Sequence, residues 1–153
     1  MKGLRTVFAL SSIVIAATFA VLWYTHSDYA SPVHIHMAPD SELPAFLDGA
    51  DSRVRDAYRF AVMNADVQDH IPCYCGCAFM GHINATDCYI KLQLPSGLYA
   101  FDQHASGCGI CVDITWDVMK MMRQGKPLSE IRAAIDATYS RFGPSTNTPH
   151  VMG

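Results

Sequence analysis

A chain of 153 residues, half of them hydrophobic and only 16% charged, has room for one small domain and little more. Its 14 acidic residues outnumber 11 basic ones for a net charge of −3, which excludes a nucleic-acid-binding surface built on charge. No carboxylate pair, Ser-His-Asp order or phosphate-cradling glycine loop appears, so hydrolytic and group-transfer chemistry is not expected.

Lys2 and Arg5 precede an uncharged run from Thr6 to Tyr24. At helical rise this run is about 30 Å long, enough to cross the hydrocarbon core of a bilayer. It exceeds the usual signal-peptide core of about 7–15 residues, and Asp28-Tyr29-Ala30 is a poor cleavage site, so a retained transmembrane signal anchor over residues 6–24 is expected. The positive flank would keep residues 1–5 in the cytoplasm and place the rest outside it, as a single-pass membrane protein. Setting aside Lys2 and Arg5 leaves nine basic residues against 14 acidic, a net of −5. Pro32, Pro39 and Pro44 among Ser, Asp and His predict a flexible tether over residues 25–45.

The folded unit is expected over residues 46–143, with a disordered tail over 144–153 after Gly143-Pro144. Asp51 or Ser52 can cap a helix to about Ala65, with Val54, Ala57, Tyr58, Ala61, Val62 and Ala65 forming its buried stripe. Pro72 to Asp87 reads as loop. Tyr89–Leu94 and Leu98–Phe101, split by Pro95-Ser96-Gly97, read as a short strand pair. Asp113 is placed to cap a helix to about Gln124, closed by Gly125. A last helix is expected from Pro127, at its first position, to about Phe142. Met119, Met121 and Met122 recur at helical spacing, which favours core packing over a thioether metal path. The fold class is α+β, a small helix-dominated domain with cysteine-rich connecting loops and a short strand pair.

Those loops carry all six cysteines: Cys73-Tyr74-Cys75-Gly76-Cys77, then Cys88, then Cys108-Gly109-Ile110-Cys111, with His70, His82 and His104 interleaved. Thiolate sulfur and imidazole nitrogen are the donors that select zinc and monovalent copper. In an extended segment Cys73, Cys75 and Cys77 fall on one side, and Gly76 allows the sharp turn that brings neighbouring sulfurs to one ion. Disulfides across a single intervening residue are strained. Cys108 and Cys111 have the spacing of half a zinc site. One tetrahedral zinc takes about four donors. Six thiols with His82 and His104 exceed that, so two ions or a thiolate-bridged copper cluster are expected. His70 is an open case, and Met80 is the one methionine kept as a candidate ligand. Asp87 and Asp102 adjoin donors and could orient a histidine.

Pro72-Cys73-Tyr74-Cys75-Gly76-Cys77, Gly81-His82, Asp87-Cys88, Asp102-Gln103-His104 and Cys108-Gly109-Ile110-Cys111-Val112-Asp113 together resemble the bacterial PCYCGC motif-containing (lipo)protein family. The resemblance spans about Phe60 to Met122 and implies an exported, membrane-attached protein with a metal site rather than a particular activity. Many relatives look like lipoproteins; this chain has no lipobox cysteine after its apolar run, which shifts attachment to the Thr6–Tyr24 helix.

The expected function is therefore a membrane-anchored extracytoplasmic protein that binds a soft metal, monovalent copper first and zinc second, for delivery, storage or resistance. Cys73, Cys75, Cys77, His82, Cys88, His104, Cys108 and Cys111 form the ligand set. Its partners would be the membrane, through the N-terminal helix, and a metal donor or acceptor protein, with no nucleic acid. The rival readings are a thiol-disulfide oxidoreductase using Cys108 and Cys111, and an interaction domain stapled by disulfides or zinc.

Overall fold

The first helix of the domain shows how its sequence is spent. In the computed structural model, which describes residues 35–150, α1 runs Ser52–Met63. The side chain of Asp51 caps it by accepting a hydrogen bond from the Arg53 backbone N–H at 2.8 Å. Ala57, Tyr58, Phe60, Ala61 and Val62 are buried. The expected continuation to Ala65 is broken at Asn64, whose Nδ2 donates to the carbonyls of Phe60 and His36, both at 2.8 Å. The chain then re-enters a single helical turn, α2, Ala65–Gln68.

The loop that follows contains two 3-10 turns, Cys77–Met80 and Thr86–Cys88. The strand pair is present as β1, Ile90–Gln93, and β2, Tyr99–Phe101. They pair antiparallel, with Ile90 opposite Phe101, Gln93 opposite Tyr99 and an irregularity between Ile90 and Leu92. Helix α3 covers Gly109–Arg123 and α4 Leu128–Tyr139, with Gly125 in the left-handed region at φ 71° closing the turn between them. Helix α3 packs against both α1 and α4. Trp116 Nε1 donates to the Arg53 carbonyl at 2.9 Å, and the Tyr139 hydroxyl donates to Asp117 at 2.7 Å. The result is a small helix-dominated α+β domain with a two-stranded sheet. Met119 and Met122 are in its core.

Two helix starts differ from expectation. Helix α3 begins at Gly109 with Cys108 as its N-cap, so Asp113 lies inside the helix and instead forms an ion pair with Arg53 at 2.7 Å. Pro127 is the residue before α4 rather than its first. The earlier start of α3 matters for function, because it puts Cys108 and Cys111 on its first turn.

The segments flanking the domain are packed where they are described. Ala38 is 1% exposed, its N–H donates to the Arg59 carbonyl at 3.0 Å, and Arg59 Nε returns a hydrogen bond to the Ala38 carbonyl at 2.6 Å. Residues 35–45, the described part of the segment expected as a tether, thus lie along α1. At the other end Thr146 and Thr148 are buried in the stretch expected to be a disordered tail. No helix among the described residues is long and apolar enough to cross a membrane. The expected anchor, residues 6–24, and the expected cytoplasmic segment, residues 1–5, lie outside the described residues.

Candidate metal centre

Four connections deliver the donors to one place. The Pro72–Cys77 segment has no regular secondary structure up to Gly76, whose φ of 85° turns the chain into the Cys77–Met80 3-10 turn. The Thr86–Cys88 turn brings Cys88 to Cys77, with the sulfurs 3.7 Å apart. Another 3-10 turn, His104–Gly107, presents His104, and the first turn of α3 presents Cys108 and Cys111.

The donors sort into two adjoining groups. In one, the ligand atoms of Cys75, His104, Cys108 and Cys111 lie within 4.8 Å of one another; in the other, those of Cys73, Cys77 and Cys88 do. Within the first, Cys75 Sγ is 3.2 Å from His104 Nε2 and 3.6 Å from Cys111 Sγ. Cys73 joins the groups, its sulfur 3.2 Å from that of Cys75 and 3.5 Å from that of Cys111. His82 Nδ1 lies 3.6 Å from Cys88 Sγ, at the edge of the second group. Sulfurs bound to one tetrahedral zinc at about 2.3 Å stand roughly 3.8 Å apart. The observed sulfur spacings, 3.2–3.7 Å, are close to that and well beyond the ~2.05 Å of a disulfide bond. These clusters could hold metal ions, and their donors are soft. Spacing in the chain pointed to Cys73-Cys75-Cys77 as one chelating segment, but the fold divides it, giving Cys75 to the α3 group and Cys73 and Cys77 to Cys88.

Packing sulfurs this tightly moves their proton affinities in opposite directions. Cys73 is pulled down to about 4, chiefly by its hydrogen bond with Cys111, against the contrary effect of Cys75 and of burial. Cys75 is held far below the ordinary thiol range by hydrogen bonds with Cys108, Cys111 and Cys73. Cys77 is pushed up by those with Cys73, Cys75 and Cys88, and Cys111 by those with Cys108, Cys73 and Cys75. A cation binding among these sulfurs would displace the protons they hold.

The description "protein of unknown function with PCYCGC motif" matches residues 16–151. The chain belongs to the PCYCGC family. No curated protein and no solved structure matches it. The motif that names the family, Pro72 to Cys77, contributes sulfurs to both donor groups.

Around the PCYCGC sulfurs lies a shell of residues that sequence reasoning largely missed. Asp102 is one of the residues expected to orient a histidine; its Oδ1 accepts the His104 backbone N–H at 2.7 Å, and its Oδ2 lies 4.0 Å from His82 Nε2 and 3.7 Å from Lys91 Nζ. One carboxylate therefore addresses both histidines, whose rings meet edge to face with centroids 5.3 Å apart. Fully buried Tyr58 donates to the Asp102 carbonyl at 2.7 Å and accepts from the Ser106 N–H at 3.1 Å. Tyr89, also fully buried, donates to the Cys111 carbonyl at 2.9 Å. Thr146 pairs with Cys73 twice: its Oγ1 accepts the Cys73 N–H and its N–H donates to the Cys73 carbonyl, each at 2.9 Å. Asp87 accepts the Ile83 N–H at 2.7 Å, bracing the turn beside His82. His70 is in neither donor group, and half-exposed Met80 lines a cavity beside His82.

Proposed function

We propose that this PCYCGC protein is a membrane-anchored, extracytoplasmic carrier or store of a soft metal, monovalent copper before zinc, which it exchanges with a donor or acceptor protein. The observation that carries this reading is the convergence of six sulfurs and the His104 imidazole, from four separate connections, into two contiguous donor groups, with His82 3.6 Å from Cys88 at the edge of one. Ion preference follows from the ligands: a thiolate-rich site with donors shared between two centres suits monovalent copper, which accepts two or three sulfurs, better than zinc. Outside the cytoplasm free thiols are prone to oxidation, and an occupying ion would protect them. The apolar Thr6–Tyr24 run supports the membrane attachment.

Thiol-disulfide exchange at Cys108 and Cys111 is the second reading, favoured by the position of Cys108 at a helix N-terminus. Anaerobic titration of the reduced full-length chain with copper(I) and zinc(II) tests the first reading, with insulin reduction as the parallel assay for the second. Two equivalents bound, and no reductase activity to lose in the Cys108→Ser/Cys111→Ser variant, is the expected result. Exchange activity abolished by that variant, without metal uptake by the parent, would replace it.

A further inference from the structure

The two donor groups are unequally accessible. Cys73, Cys77 and Cys88 are 1%, 1% and 0% exposed, whereas Cys75, His104 and Cys108 are all half-buried and only Cys111 of their group is enclosed, at 3%. A cavity of about 430 Å³ opens against the accessible group, with Cys108, Ser106, Val112 and Arg53 in its wall. Two glycines, Gly107 and Gly109, flank Cys108 in that wall, and a Cβ added to either would meet nothing within 4 Å. Half-buried Cys108 is thus flanked in that wall by two residues without side chains. A second cavity, of about 300 Å³, is lined by His82 and Asp102 and by no cysteine. Neither cavity is lined by Cys73, Cys77 or Cys88, and Cys73 is fastened through both backbone groups to Thr146.

Resting on the metal reading above, we propose that the groups hold ions of different exchange class. The ion at Cys75, His104, Cys108 and Cys111 is transferable cargo, handed through the Cys108 cavity to an incoming thiol, and the ion at Cys73, Cys77 and Cys88 is retained. The first step is ligand substitution. A sulfur–metal bond forms to the incoming thiol, the Cys108–metal bond breaks, and the proton of the incoming thiol ends on Cys108. The ion keeps its oxidation state, so no oxidant or reductant takes part. The incoming sulfur can belong to a small thiol or to a cysteine of an acceptor protein, since the chemistry is the same.

The test loads the reduced full-length chain, in detergent, with copper(I) to two equivalents and challenges it with excess glutathione, using a coloured copper(I) chelator as sink. Release is expected in two phases of similar amplitude, only the faster depending on glutathione concentration. Gly107→Leu touches no donor and fills the cavity wall; it should slow the fast phase by about tenfold while leaving the slow phase and the stoichiometry unchanged. Alkylation during the fast phase, read by mass spectrometry, should mark Cys108 and Cys75 before Cys77 and Cys88. Replacing glutathione with a Cys-x-x-Cys peptide at equal sulfur concentration identifies the source: faster transfer to the peptide indicates a protein acceptor, faster transfer to glutathione a small thiol. Two ions leaving in one phase, wild-type release by Gly107→Leu, or early labelling of Cys77 and Cys88 would overturn the proposal alone. A chain that takes up no copper(I) would overturn the metal reading beneath it as well.

Discussion

Cys73 is the residue on which the two donor groups meet. Its sulfur touches those of Cys75 and Cys111 in one group while it belongs by position to the other. Cys73→Ser should therefore weaken both ions rather than delete one, seen as two lowered affinities in a competition titration, whereas Cys88→Ser should remove a single equivalent. Asp102 has a comparable reach from outside the sulfurs, since it holds the His104 backbone and faces His82. Residues that orient metal-binding histidines typically contribute about 10–100-fold in affinity. Asp102→Ala is expected to lose that much, measured by competition with a calibrated chelator, with all six thiols still titratable. An unchanged affinity would remove Asp102 from the account.

At the scale of elements, the centre depends on the helices and turns holding their carbonyls and N–H groups in fixed places. Tyr58→Phe deletes the buried hydroxyl that donates to the Asp102 carbonyl. Leaving that carbonyl unpaired costs about 1–3 kcal/mol, and denaturant unfolding of the metal-free chain should show it. Thr146→Val removes the Oγ1 that accepts the Cys73 N–H while keeping the side chain's bulk, and should cost a similar amount for the same reason. What could be read from the sequence follows the same division. The stripe from Ala57 to Val62 has a helical period, and Pro95-Ser96-Gly97 punctuates the strand pair, so both were legible. The start of α3 was not, because Gly109 at its first position is a poor helix former and Cys108 is no ordinary cap. Thr146 and Thr148 carry no periodicity at all; their role comes from hydrogen bonds to Cys73 and Ile83, distant in the chain.

For the whole molecule, the candidate donors were visible as residue types, but their partition was not. Composition and spacing single out six cysteines and two histidines; only the fold decides that Cys75 faces Cys108 and Cys111 while Cys77 faces Cys88. A domain of this size has a modest core, and ions that tie the Pro72–Cys77 segment to the Thr86–Cys88 turn and the start of α3 would act as staples. A ligand present at about a hundred times its dissociation constant adds about 2.7 kcal/mol per site. The metal-loaded chain should thus unfold at higher denaturant than the chelated one, with the difference restored on adding metal back.

The central claim is that the six sulfurs hold metal rather than each other. The measurement that tests it most directly is elemental mass spectrometry of the full-length chain purified without oxygen or added metal, beside a thiol count in denaturant. About two equivalents of copper or zinc with six titratable thiols is the predicted result. A chain free of metal and of titratable thiols would contradict it, and would make the centre a set of disulfides instead.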